Sequence, residues 1–212
     1  MITPKGIDLA INNVFSLVIL IINTIVILSS QRKPLHSLLI ILLPLSIVAV
    51  AVASISFADA TDLSHFGAGV SAHILLSIIA YSLLTTATLQ ALLLHWQNNR
   101  LKNHQLSGLV KHLPPLQTME SLMFELLWVG VILLAAGITV GALFLNDIFA
   151  QHLIHKTTLS IIALLIFSAL LWGRATQGWR GNIAIRWVLG GFCVLMLAYF
   201  GSKIVIDIII KQ

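Results

Sequence analysis

Histidine is the side chain here best suited to hold a transition metal, because a neutral imidazole keeps one ring lone pair free. His73 heads a row, His73, Ser77, Tyr81 and Thr85, that recurs every four residues and makes one polar stripe on an apolar helix. His152 and His155 stand three apart in Gln151-His152-Leu153-Ile154-His155-Lys156-Thr157, a spacing that puts both on one helix face. Polar groups within a bilayer are costly, so each is a candidate for function. Two helices entering from the same side bring His73 and His155 (or His152) to one depth, the arrangement of a bis-histidine haem site. Lys156 beside them suits a haem propionate through a charge-assisted hydrogen bond. Three histidines would also suit zinc, with Asp147 the nearest carboxylate in sequence.

The other polar residues point to less. His95, His104 and His112 match no ligand spacing. Cys193, the single cysteine, sits in an apolar run and reads as a small packing residue. Glu120 suits a helix N-terminus, and Glu125 is placed to pair with Arg174 or Arg186. Nucleophile, base and oxyanion donors converge nowhere, so no enzyme is predicted.

The elements that must position these residues are membrane spans. Mean hydropathy is +1.02, with 58% hydrophobic and 9% charged residues, which excludes a water-soluble domain. Six apolar runs predict helices near Ile7–Ser29, Leu35–Phe57, Val70–His95, Ser121–Leu145, Thr157–Gly173 and Ile183–Ile209. Pro44 should kink the second. Of twelve basic residues, eight fall in or beside alternate connections: Arg32, Lys33, Arg100, Lys102, Lys111, Arg174, Arg180 and Arg186. Positive residues gather on the cytoplasmic side, so both termini are expected outside. The net charge of +5 thereby needs no nucleic-acid partner. Trp96, Trp128, Trp172, Trp179 and Trp187 all lie near the basic ends of their spans, as half of an aromatic belt does. Gly137 and Gly141 form a G-x-x-x-G pair, with Gly130 one repeat earlier, so the fourth span should pack closely on a neighbour. The polar stretch His95–Thr118 has room for a short surface helix.

Several stretches together resemble the cytochrome c assembly (CcsA/CcmC-like) integral-membrane family, and most closely its YpjD-type inner-membrane branch. They are Ser71-Ala72-His73 through Tyr81-Ser82; Leu113-Pro114-Pro115-Leu116-Gln117-Thr118-Met119-Glu120; Gln151 through Thr157; and Gly178-Trp179-Arg180-Gly181 running to Tyr199-Phe200-Gly201-Ser202-Lys203. The resemblance spans roughly residues 65–210. It implies that His73, followed eight residues later by Tyr81, is an external haem ligand, and that Lys156 and Thr158 match the family's Lys-x-Thr. The chain also departs from the family. No tryptophan lies between Leu143 and Lys156, where the family carries a tryptophan-rich outer loop. Trp172 stands in place of an intramembrane histidine, and no histidine follows Tyr199.

The expectation is therefore an all-α, polytopic membrane bundle of about six helices in a bacterial inner membrane. Residues 1–64 would form two N-terminal spans and 65–212 a four-helix assembly-like domain. Haem would be held near the outer face by His73, His155 or His152, Lys156 and Tyr81, in cytochrome c assembly or haem transport. Membrane lipid, haem and other inner-membrane proteins would be its partners. The alternative is a cofactor-free scaffold or transporter accessory that kept the fold.

Overall fold

The computed structural model describes residues 2–3, 6–7, 20–24, 27, 47, 67–103, 113–144 and 151–205, with the side chains of 2–3, 6–7, 151–155 and 199–205 excepted. Four long helices dominate: α1 (Ala68–Lys102), α2 (Leu116–Phe144), α3 (Gln151–Gln177) and α4 (Asn182–Val205). At the N-terminus β1 (Ile2–Thr3) pairs antiparallel with β2 (Gly6–Ile7), Ile2 opposite Ile7. Ile7 thus belongs to a two-residue ladder, where a helix start was expected. Apart from short helical pieces, the first two predicted spans, and Pro44 with them, lie outside the described residues.

The remaining four predicted spans each fall on one helix. Among the described residues three stretches are long and apolar enough to cross a membrane: α1, α2 and Lys156–Gln177 of α3; Asn182–Ala198 of α4 is a shorter apolar helix. The ends differ from expectation for physical reasons. α1 runs seven residues past His95 to Lys102, because nothing between them breaks a helix. At a 1.5 Å rise its 35 residues reach about 50 Å, well beyond the ~30 Å hydrocarbon layer. The polar turns at its end, with Arg100 over the Trp96 ring at 5.7 Å, occupy part of the stretch where a separate surface helix was expected. α2 starts early because Pro115 is pre-shaped for a helix start; its carbonyl accepts from Thr118 N–H (2.9 Å) and Met119 N–H (3.2 Å).

The helices form an antiparallel bundle. α1 and α2 pair most extensively, and glycines set their approach. Gly69 faces the Phe144 ring, Gly137 faces Leu76 and Ser77, and Gly130 faces Leu83 and Leu84. The small-residue face of α2 thus packs on α1, as its spacing suggests. Gly178, at φ 68°, ends α3 in a left-handed turn that few other residues adopt. Trp179 then folds back over Gly173 and meets Trp187 at 5.1 Å. Gly191 seats the Phe167 ring between α3 and α4. Tyr81 joins α4 to α1, its hydroxyl donating to Leu195 O at 2.9 Å.

Hydroxyls inside the bundle satisfy themselves locally. Ser82, Thr85, Thr86 and Thr88 each donate to the carbonyl four residues back. That bond suits a bilayer, where no water is available to accept. The apolar core runs through Leu84, Met123, Leu127, Phe167, Leu170 and Leu195. Outward faces stay greasy: Ile132 of α2 is 59% exposed and Leu165 of α3 is 63% exposed, as lipid-facing positions should be. The tryptophans divide into two groups. Trp96, Trp128 and Trp172 are exposed, whereas Trp179 and Trp187 pack on each other.

Candidate cofactor site at His73

His73 lies in the second turn of α1 and is half-buried against α2. Its Nδ1 stands 2.7 Å from the Gly137 carbonyl oxygen. A carbonyl can only accept, so Nδ1 carries the proton. In the neutral ring the lone pair then resides on Nε2, and among the described residues nothing hydrogen-bonds to Nε2. An N–H held by a backbone carbonyl is the device that orients metal-binding imidazoles.

The second glycine of the pair makes room for that ring. A Cβ on Gly141 would stand 2.8 Å from Nδ1 and 2.9 Å from Cε1 of His73. Gly137 supplies the acceptor and Gly141 supplies the space. From sequence the pair reads only as a helix-packing motif; the structure shows that it also cradles a histidine. No residue pattern announces this, because it depends on the register between α1 and α2.

His152 and His155 occupy the first turns of α3, and their side chains lie outside the described residues. Lys156 follows them and is exposed. The ring-to-ring relation of His73 and His155 is therefore outside the description. Tyr81 sits two turns beyond His73, with its hydroxyl committed to Leu195 O and its ring 6.3 Å from Phe192. Among the described residues no three His, Cys, Asp or Glu side chains converge on a metal position. An imidazole oriented through Nδ1, with no partner for Nε2 among the described residues, is a donor of the kind that can ligate a transition metal such as iron.

The opposite end of the bundle holds a charge cluster that the sequence resolved incompletely. Arg174 of α3 donates to Glu120 Oε1 at 2.9 Å, and Arg180 reaches the same oxygen at 3.6 Å. The carboxylate meeting Arg174 at this distance is Glu120, although sequence position favoured Glu125. Glu120 is 7% exposed, and the Arg174 guanidinium lies 3.8 Å over the Phe124 ring. Nearby, Gln97 donates to Pro114 O (2.9 Å) and Gln90 to Met119 O (3.2 Å). Both glutamines are buried, and among the described residues both leave their Oε1 without a partner. Their long aliphatic stems and heptad spacing hide them within an apolar pattern, so the sequence did not single them out.

Relatives support the family reading. Inner membrane protein YpjD of Escherichia coli (strain K12) is 35% identical over 207 residues, covering 97% of this chain and 78% of its own length. An uncharacterized 28.8 kDa protein of Azospirillum brasilense is 34% identical over 146 residues, 68% of this chain and 54% of its own. Cytochrome c biogenesis protein CcsA of Trichormus variabilis is 29% identical over 90 residues, 42% of this chain and 26% of its own. No solved structure matches. With its membrane-crossing helices and an inner-membrane relative of nearly full coverage, the chain is a multi-pass protein of the inner membrane. The family pattern described as cytochrome C assembly protein matches residues 9–210, which takes in the segment of the first two predicted spans, and the chain belongs to that family.

Proposed function

We propose that this protein handles haem at the outer face of the inner membrane, in cytochrome c assembly or haem transport. Six spans with both termini outside would put the His73 end of the bundle at that face, because the basic residues gather at the other. His73 would be one axial ligand and His155, or His152, the second. Lys156 would meet a propionate. Tyr81 would serve from a distance, bracing α4 against α1. Bound haem would supply an iron centre ligated through imidazole, to be carried or passed on.

The observation that carries this reading is the His73 hydrogen bond to Gly137 O, with Gly141 opening the space. The bond fixes the ring through Nδ1 and leaves Nε2 as the nitrogen able to ligate a metal. Membership of the cytochrome C assembly family supports haem as the class of cofactor.

Purified protein titrated with hemin tests the reading. The expected result is a Soret band of bis-histidine character that falls with His73→Ala. Colourless protein that takes up no hemin would refute it and leave the cofactor-free scaffold.

A further inference from the structure

An open groove of about 280 Å³ lies between α3 and α4, lined by Ile166, Arg186, Trp187 and Gly190. It is at the basic end of the bundle, away from His73. Three of its features are unusual together.

The first is an uncompensated cation. Glu120 takes both Arg174 and Arg180. Arg186 is exposed, and among the described residues it forms no ion pair or hydrogen bond. The second is a notch. Adjacent glycines of α4 part in opposite directions: Gly191 is filled by the Phe167 ring, while Gly190 is exposed and no described residue comes within 4 Å of where a Cβ would stand. Gly190 lies one turn deeper than Arg186 on the same face, about 6 Å along the axis. The third is Trp187, half-buried against Trp179 beside Arg186 near the start of α4, a residue type that favours the headgroup level.

We propose that this groove binds one anionic phospholipid of the cytoplasmic leaflet. The phosphate meets the Arg186 guanidinium, whose planar donors suit two phosphate oxygens. An acyl chain runs inward over Gly190 and along Ile166. Charge complementarity selects the headgroup: a zwitterionic lipid brings its own cation beside Arg186, an anionic one does not. Because the groove and His73 occupy opposite ends, lipid binding and haem binding are separable by experiment.

The test is native mass spectrometry of the full chain from mixed micelles of phosphatidylglycerol and phosphatidylcholine. Wild type should retain phosphatidylglycerol preferentially. Arg186→Gln should weaken that retention about fivefold, the share of one basic residue near an anionic surface, and leave phosphatidylcholine unchanged. Arg186→Lys should keep most of the preference. Gly190→Leu, which fills the notch, should lower retention of both lipids. Arg186 is exposed and has no partner among the described residues, so size-exclusion and circular dichroism profiles should match wild type. The proposal falls if Arg186→Gln retains phosphatidylglycerol like wild type, or if wild type shows no preference. It falls equally if a photo-crosslinking residue at position 190 captures protein, either a second copy or this chain's own residues before 67, and no lipid.

Discussion

Replacing Gly141 by alanine is the sharpest probe of the His73 cradle. The new methyl would stand 2.8 Å from Nδ1, so the ring must retreat about 0.6 Å to reach an ordinary 3.4 Å contact. That movement takes the 2.7 Å bond to Gly137 O past the ~3.2 Å limit of a good N–H···O bond. Backbone effects work the other way, since alanine favours helix over glycine by about 1 kcal/mol. The loss must then come from the imidazole. Disturbing the partner that orients a metal ligand costs about 10- to 100-fold in affinity, or roughly 1.4–2.8 kcal/mol. Hemin titration followed at the Soret band should show that loss for Gly141→Ala. Gly137→Ala is the control, because its Cβ meets Ser77 Oγ at 3.4 Å and Leu76 Cβ and Ser77 N at 3.7 Å, ordinary contacts, and the carbonyl remains. A stability cycle tests the cradle without haem. Overpacking by Gly141→Ala should destabilise by about 1–3 kcal/mol and become harmless once His73→Ala removes the ring. Equal hemin affinity in Gly141→Ala and wild type, or an undiminished stability loss in the His73→Ala background, would refute the argument.

Other substitutions separate strong features from weak ones. Glu120→Gln leaves Arg174 and Arg180 without their shared anion; a loss of about 1–2 kcal/mol is expected, discounted for the partly exposed arginines, and denaturant titration in detergent reads it. Tyr81→Phe removes one interhelical bond and should cost only about 0.6 kcal/mol, as such bonds do in membranes; a loss of several kcal/mol would show that Tyr81 does more than brace α4. Gly191→Ala puts a methyl 2.7 Å from the Phe167 ring and should cost about 1–3 kcal/mol of thermal stability. Gln90→Leu should be neutral or stabilising, because the amide makes one long bond and leaves Oε1 unmatched in the core; a marked drop in melting temperature would mean that this oxygen has an unseen partner.

Much of the architecture was legible before any coordinates. Apolar runs separated by polar turns found α1 to α4, because a bilayer accepts almost no other pattern. Helix ends were less legible. α1 outran its apolar run, since helical hydrogen bonding continues through polar residues once outside the lipid. The glycine face of α2 was visible as a spacing, but its two roles were not. His73 was identified by its type and stripe, whereas Glu120 lost to Glu125 as the expected partner of Arg174. Distance along one helix says little about which carboxylate a different helix brings near.

Composition and periodicity alone thus determined a membrane bundle with a histidine near one end and basic residues at the other. Those properties follow from transfer energies and helical repeat, which each segment carries by itself. Tertiary structure decided which glycine hosts the His73 ring, which carbonyl accepts its hydrogen bond, which arginine lacks a partner among the described residues and where a groove lies between α3 and α4. Each of these depends on the register between two helices, and register is a property of the packed pair that neither strand of sequence contains.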